Sequence, residues 1–234
     1  GLANRMGSEI SLHRACATAN LTAVEQCICE LVNGGDIDVL DGEGRTPLLV
    51  AASAGNASLC RLLVRSGADV NIASDGGHIT PLMASIENEH VACSLLLMDE
   101  LRADAHLRNS QGACALTYAC KRGIEPVAVA LVQRGVSVDS SNKRGTTPLM
   151  VAANNGHCGI CRFLLDSGAD IDAVNEDYAT PMDCASTPDV NTMFVEYMRE
   201  REEEEERRRR SSGTGSGSGG RESLTTEGAR AGGK

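Results

Sequence analysis

Gly44-Arg45-Thr46-Pro47-Leu48-Leu49-Val50-Ala51-Ala52-Ser53-Ala54-Gly55 decides the fold of this chain. A Thr hydroxyl caps a helix N-terminus, and Pro suits the first helical position because its missing N–H leaves nothing unbonded there. Gly closes a short helix by taking the left-handed conformation that other residues resist. The same signal returns along the chain as Thr80-Pro81-Leu82, Thr147-Pro148-Leu149 and Thr180-Pro181-Met182, with a degenerate Cys114-Ala115-Leu116 in register between them. The starts at 46, 80, 114, 147 and 180 lie 33 or 34 residues apart. A poorer copy, Ser11-Leu12-His13-Arg14-Ala15-Cys16, precedes them.

Other landmarks keep the same phase. Gly55, Gly123 and Gly156 follow the Thr position by nine residues, and Gly67, Gly135 and Gly168 come twelve later. Five residues before each start stands Asp41, Asp75, Asn109, Asn142 or Asn175, an Asx that bonds its own backbone and holds a turn. Between the glycines, Leu59, Leu62 and Leu63 recur as Val127, Ala130 and Leu131 and as Ile160, Phe163 and Leu164. That i, i+3, i+4 spacing is one buried helical stripe. Each unit therefore reads as turn, short helix, Gly, second short helix, Gly and polar finger. It cannot bury its apolar face alone and must stack on its neighbours.

These residues resemble the ankyrin-repeat family over about residues 9–198, most closely in Gly44-Arg45-Thr46-Pro47-Leu48 with Ala51-Ala52 and in Ser66-Gly67-Ala68-Asp69-Val70-Asn71. Arg144-Gly145-Thr146-Thr147-Pro148-Leu149 with Ala152-Ala153, and Ser167-Gly168-Ala169-Asp170-Ile171-Asp172, match as well. The resemblance implies an all-α solenoid of about six stacked helix–turn–helix units with finger loops. Their expected bounds are 9–43, 44–77, 78–111, 112–144, 145–177 and 178–198, behind a flexible N-terminus at 1–8. The family's His after Thr-Pro-Leu survives only as His13, being replaced by Leu49, Met83, Thr117, Met150 and Asp183. A His hydrogen-bond ladder between units is thus not expected, and stability should rest on apolar stacking. Glu89, Leu101 and Asp189 stand where Gly is usual, which predicts irregular third and sixth units.

Beyond Met198 the chain runs into charge, with five Glu followed by four Arg at 202–210. Pairs such as Glu203/Arg207 and Glu206/Arg210 sit four apart in the favourable order, each worth about 0.3 kcal/mol. This predicts a charged, solvated helix over 199–210 that lacks the apolar seam of a coiled coil. Residues 211–220 are only Ser, Gly and Thr, and 221–234 carry no apolar periodicity, so 211–234 reads as a disordered tail.

Composition narrows the function. The 234 residues carry 22 Lys plus Arg against 32 Asp plus Glu, for a formal charge of −10, and 2% of them are aromatic. A phosphate-backbone binder needs clustered cations and a single-strand binder needs stacking rings, so no nucleic-acid partner is expected. The apolar runs fall far short of the ~20 residues that cross a bilayer, so no membrane span is expected. The chain opens on Gly1 without a secretory pattern and reads as a fragment or a processed product. Ten cysteines in a helical chain of this length fit free thiols in a reducing compartment, cytoplasmic or nuclear, better than a disulfide scaffold.

Cys158-x-x-Cys161 beside His157 is the sharpest metal-like motif, but tetrahedral zinc needs two further ligands. The repeat register supplies the plainer reading. Cys161 aligns with Cys60 and, allowing a short deletion, with Cys29, while Cys16 and Cys120 fall where other units have Ala52 and Ala153. These are small core positions, so Cys29, Cys60 and Cys161 are expected to be buried thiols, with no metal and no cofactor. The five histidines are spread over the units without a paired nucleophile, and no phosphate-binding loop appears, so no enzyme is expected. Asn71 resembles the asparagine hydroxylated in many ankyrin-repeat proteins; a structural turn residue is the reading adopted.

The resemblance implies a non-enzymatic protein-interaction module, a scaffold or adaptor that grips a protein partner on finger tips and exposed first-helix residues. The alternatives are a regulatory or assembly-chaperone subunit that restrains an enzyme and, less favoured, a chromatin-associated binder. Carried over by register, the candidate contact residues are Glu43 and Arg45; Ile79, Glu87 and Asn88; Gln111, Lys121 and Arg122; Lys143, Arg144, Asn154 and Asn155; and Glu176 and Asp177. Lys121, Arg122, Lys143 and Arg144 are expected to share a patch in an acidic body, selecting a partner with an acidic or phosphorylated segment. The plainer alternative is that neighbouring acids neutralise them. The molecule is expected to be a monomer.

Overall fold

The computed structural model describes residues 12–31 and 35–212. The readings made for residues 1–8 and for the tail beyond Ser212 lie outside them. First helices are α1 (residues 12–17), α3 (Pro47–Ser53), α5 (Pro81–Glu87), α7 (Ala115–Arg122) and α9 (Pro148–Asn154). Second helices are α2 (Leu21–Leu31), α4 (Ala57–Arg65), α6 (Val91–Asp99), α8 (Glu125–Gln133), α10 (Cys158–Asp166) and α11 (Pro188–Ser212). Each of α3, α5 and α7 packs on its own second helix and on the first helix of the next unit, while α4, α6, α8 and α10 stack in a second layer.

The landmarks act as their chemistry requires. The Thr46, Thr80 and Thr147 hydroxyls accept from the amides of Leu49, Met83 and Met150 at 3.1, 3.2 and 3.3 Å. Cys114 offers no such bond, and α7 forms without it. Six of the seven residues of α3 are buried, because a first helix is enclosed by its own second helix and by neighbours on both sides. In α4 the fully buried residues are Leu59, Cys60 and Leu63, whereas Leu62 of the expected stripe is only half-buried; each buried Leu contributes about 1.5–3 kcal/mol.

The Asx residues organise the fingers. Each of Asp41, Asn109, Asn142 and Asn175 accepts through Oδ1 from amides two and four residues later, at 2.9–3.0 Å. Finger then bonds to finger through backbone, from Asp75 to Gly44, Ser110 to Gly77, Lys143 to Gln111 and Glu176 to Arg144, at 2.9–3.0 Å.

Histidines do link the units, from a position the Thr-Pro-Leu register did not flag. His13 Nε2 donates to the Arg45 carbonyl at 2.9 Å as the family pattern implies. In addition, His90 and His157, at the N-caps of α6 and α10, reach the carbonyls of Ser53 and Lys121 in the preceding units at 3.0 and 3.2 Å. Gly55 and Gly123 make this possible, since a Cβ there would come within 2.5 and 2.6 Å of those imidazole rings.

The third unit is irregular, as its missing glycines predict. Glu89 adopts φ +63° where the second, fourth and fifth units place Gly, and the left-handed residue after α6 is Arg102 rather than Leu101. Its finger closes from Ser74 to Ile79, one residue longer than the others, and Ser74 replaces Asp75 as the organising side chain. The sixth unit departs further from a helix–turn–helix. Thr180 and Asp183 exchange capping bonds, yet residues 181–184 complete a single turn instead of a first helix. α11 nevertheless buries Val190, Met193 and Phe194.

The chain divides into two compact units between Phe194 and Val195, within α11. The helix is continuous from Pro188 through the charged segment to Ser212. In the second unit, Glu203, Glu204, Glu205 and Glu206 pair with Arg207, Arg208, Arg209 and Arg210 at 2.8–3.9 Å.

The His-to-glycine seat separates two otherwise similar substitutions. Gly135→Ala meets only the left-handed backbone penalty of about 1–2 kcal/mol. Gly55→Ala adds displacement of the His90 ring and should lower the urea midpoint clearly more than Gly135→Ala does; equal midpoints would refute the seat.

Candidate functional site

Three consecutive units converge on a groove of about 460 Å3. The second-unit finger supplies Glu43 and Arg45 and α3 supplies Leu49 and Ser53; the third-unit finger adds Ser74 and Ile79; α5 and its C-cap add Ala84, Glu87 and Asn88; α7 adds Tyr118 and Lys121. Six of the residues singled out from sequence thus meet in one place. Arg122 adjoins them through Glu87, whereas Gln111, Lys143, Arg144, Asn154, Asn155, Glu176 and Asp177 do not line the groove.

Leu49, Ser74, Ala84 and Tyr118 are groove residues that the register argument missed. Leu49 replaces the family's His and reads as core, and it is indeed buried. Tyr118 belongs to the interior of α7, where an aromatic reads as packing. Its hydroxyl accepts from Asn109 Nδ2 at 2.9 Å, while burial pushes the phenol above its ordinary range against that bond.

Charge is arranged at two walls. Arg45 bridges Asp41 and Glu43, both at 2.9 Å. Burial opposes the Asp41 charge, but the Arg45 amide and guanidinium and the Glu43 amide more than offset it, holding the carboxyl below its usual range. At the other wall, Lys121 Nζ and Arg122 Nη2 both donate to Glu87 Oε1, at 2.8 and 2.9 Å. Burial again raises, and these two cations more than reverse it, so Glu87 ends below the ordinary carboxylate range. Its other oxygen, Oε2, is buried without a hydrogen-bond partner.

The expectation of four cations forming an open patch therefore needs correction. Glu87 neutralises part of the Lys121–Arg122 charge, Glu89 approaches Arg122 at 3.6 Å, and Arg144 pairs with Asp177 at 2.6 Å. The partial neutralisation comes from the neighbouring units, across separations of 33–35 residues.

The thiols follow the helix faces, with one exception. Cys16, Cys60, Cys120 and Cys161 are buried, but Cys29 is exposed and Cys27 takes the inward position. Asn20, not a later residue, anchors α2: its carbonyl accepts from Val24, as the Asn56 carbonyl accepts from Cys60. Val24 is thus the counterpart of Cys60, and the alignment that placed Cys29 there is wrong. Burial first, then a neighbouring thiol, pushes Cys16 and Cys161 up to about 12. His157 donates to Lys121 instead of turning toward Cys158 and Cys161, and among the described residues no group of three or more His, Cys, Asp or Glu is placed to hold a metal. Asn71 Oδ1 accepts from the Asp104 amide of the next unit at 2.8 Å, so its side chain ties two units together rather than its own turn.

This groove, built from fingers and first helices of stacked units, comes with a matching family model, ankyrin repeats in three copies, over residues 12–109 and again over 92–175. The chain belongs to the ankyrin-repeat family. It is 34% identical over 195 residues to the human ankyrin repeat and SOCS box protein 16, and 35% over 192 residues to the mouse protein. The human transient receptor potential cation channel subfamily A member 1 is 28% identical over 172 residues. These alignments cover 77%, 77% and 72% of this ankyrin-repeat chain but only 41%, 41% and 15% of the relatives. Among the described residues, no helix is long and apolar enough to cross a membrane.

Two outcomes follow from the ion pairs and the thiols. A depressed Glu87 pKa means that the clamp is intact above the ordinary Glu value of about 4.3 and is lost as pH falls through the lower folded value. Glu87→Gln should therefore lower the urea midpoint at pH 7, and the gap to wild type should close on acidification below pH ~4; a constant gap would show that the charge contributes nothing. In native thiol labelling, Cys29 should react fast while Cys60 and Cys161 react only through opening. Peptide mapping that finds Cys29 as slow as Cys60 would contradict this exposure.

Proposed function

We propose that this chain is a non-catalytic protein-interaction module whose partner docks in the groove across the second, third and fourth units. The observation that carries the reading is the convergence of Glu43, Arg45, Ile79, Glu87, Asn88 and Lys121 on one open cleft floored by Leu49 and Ala84. Its volume suits a few apolar side chains, and its polar rim suits orientation. Glu87 and Glu89 together balance Lys121 and Arg122, but Lys121 spends only one of its three ammonium donors on Glu87 and stays half-exposed at the α7 wall, where it meets a partner's anion. An acidic or phosphorylated segment of the partner complements that wall, and a basic residue complements Glu43. Lys143, exposed on the next finger, extends the same sign, while Arg144 beside it is paired with Asp177. This charge pattern contributes to on-rate and register more than to raw affinity.

The test is quantitative affinity capture with the full chain, followed by kinetics on the protein recovered. Lys121, Arg122, Lys143 and Arg144 changed together to Glu should slow association at least tenfold and flatten its salt dependence, with the helical circular dichroism unchanged. The control Arg61→Glu removes an exposed pair with Glu100 outside the groove and should bind as wild type. A quadruple variant that keeps the wild-type on-rate would reduce the wall to a solvated face. Retention on heparin at physiological salt would favour nucleic acid instead.

A further inference from the structure

The finger entering the sixth unit carries an anomaly. Two residues before each Thr-Pro position the backbone is left-handed, at Gly44, Gly112 and Gly145 with φ of +70°, +81° and +72°, and at His78 with +50°. The fifth member is Tyr178, at φ +60° and 89% exposed. A bulky L side chain is disfavoured in that conformation, and nothing is gained here by burying it. The other two tyrosines are unlike it: Tyr118 is half-buried with its oxygen engaged by Asn109, and Tyr197 is partly covered on α11.

This turn is closed by the Tyr178 amide on the Asn175 carbonyl at 3.0 Å, by the Asn175 amide on the Ala179 carbonyl at 3.2 Å and by two amides on Asn175 Oδ1, and the Glu176 amide ties it to the Arg144 carbonyl. Downstream there is a single turn at 181–184 instead of a first helix, so the usual seven- or eight-residue anchor is missing. The left-handed tyrosine biases the turn toward opening by about tenfold relative to glycine. Opening presents Asn175-Glu176-Asp177-Tyr178-Ala179 as an extended strand with two acids ahead of the ring.

We propose that Tyr178 is a phosphoryl-acceptor site for a protein-tyrosine kinase with a basic substrate groove. The phenolic oxygen attacks the γ-phosphorus of ATP, the bond to the bridging oxygen breaks, ADP leaves, and the kinase's base takes the phenolic proton. The product adds close to two negative charges beside Asp177, which already holds Arg144. Arg144 then has two anions to choose between, and the balanced finger tips become net negative without any change in the stacked core.

The experiment uses the full chain, a purified tyrosine kinase that prefers acidic residues ahead of tyrosine, and magnesium ATP, with sites mapped by mass spectrometry. One phosphoryl group is expected, on Tyr178, at a rate within about tenfold of a synthetic peptide spanning residues 172–184, and none on Tyr178→Phe. Slower modification of the folded chain, modification of Tyr118 or Tyr197 at a comparable rate, or no incorporation into chain or peptide would each overturn the assignment. Independently, Tyr178→Gly should raise the urea midpoint; a lowered midpoint would remove the strain on which the proposal rests.

Discussion

Helices of seven and nine residues are too short to hold in water alone, where about 12–15 residues are marginal, so the structure depends on the lateral contact between neighbouring units. That contact dictates the residue types. First helices are enclosed on several sides and use Ala51, Ala52, Ala119, Ala152 and Ala153, with Cys16 and Cys120 at equivalent places, so that backbones approach closely. Second helices have one neighbour layer and keep a narrower stripe. Polar groups then fasten the stack at three heights. Backbone bonds join the fingers, His13, His90 and His157 join first-helix ends, and Asp38, Asn71 and Asp139 accept from the amides of Asp69, Asp104 and Asp170 one unit on. Each bond is modest, but each repeats with the period of the chain, which is what makes the order of units unambiguous.

The same reasoning explains what was legible in the sequence. Residues with a conformational duty announce themselves, because Thr-Pro, Gly and Asx are needed at fixed offsets wherever the unit recurs; the helices from α3 to α10 follow from them. Duties between units are harder to see. The His90 and His157 bonds use a position whose partner lies 36 or 37 residues away, and the matching glycine reads as a helix end until the ring that fills its missing Cβ is placed. That neighbouring acids neutralise the cations is an alternative the sequence offers, but the particular Glu87 pairing is not, because its partners lie 34 and 35 residues away. Cys29 was misassigned because a register carried across a deletion needs an anchor, and Asn20 is that anchor. The sixth unit reads as irregular from Asp189, and its departure falls earlier, at 181–184, where the Thr180-Pro181 start signal is followed by a single turn.

Among the units from α3 to α10, departures from the repeat concentrate in the third. The third unit has the longer finger, a left-handed Glu89 in place of Gly and a displaced left-handed Arg102, and it contributes Ser74, Ile79, Ala84, Glu87 and Asn88 to the groove. A longer finger sets Ile79 beside Ser74 at the cleft rather than continuing the shorter turn of its neighbours. Glu89 follows Glu87 closely, so the residue that breaks the glycine rule also brings a second carboxylate to Arg122. Natural chains break local rules mainly where something other than the core benefits. Stacking alone would be served by identical units; among those that keep both helices from α3 to α10, the one that differs most is at the centre of the cleft.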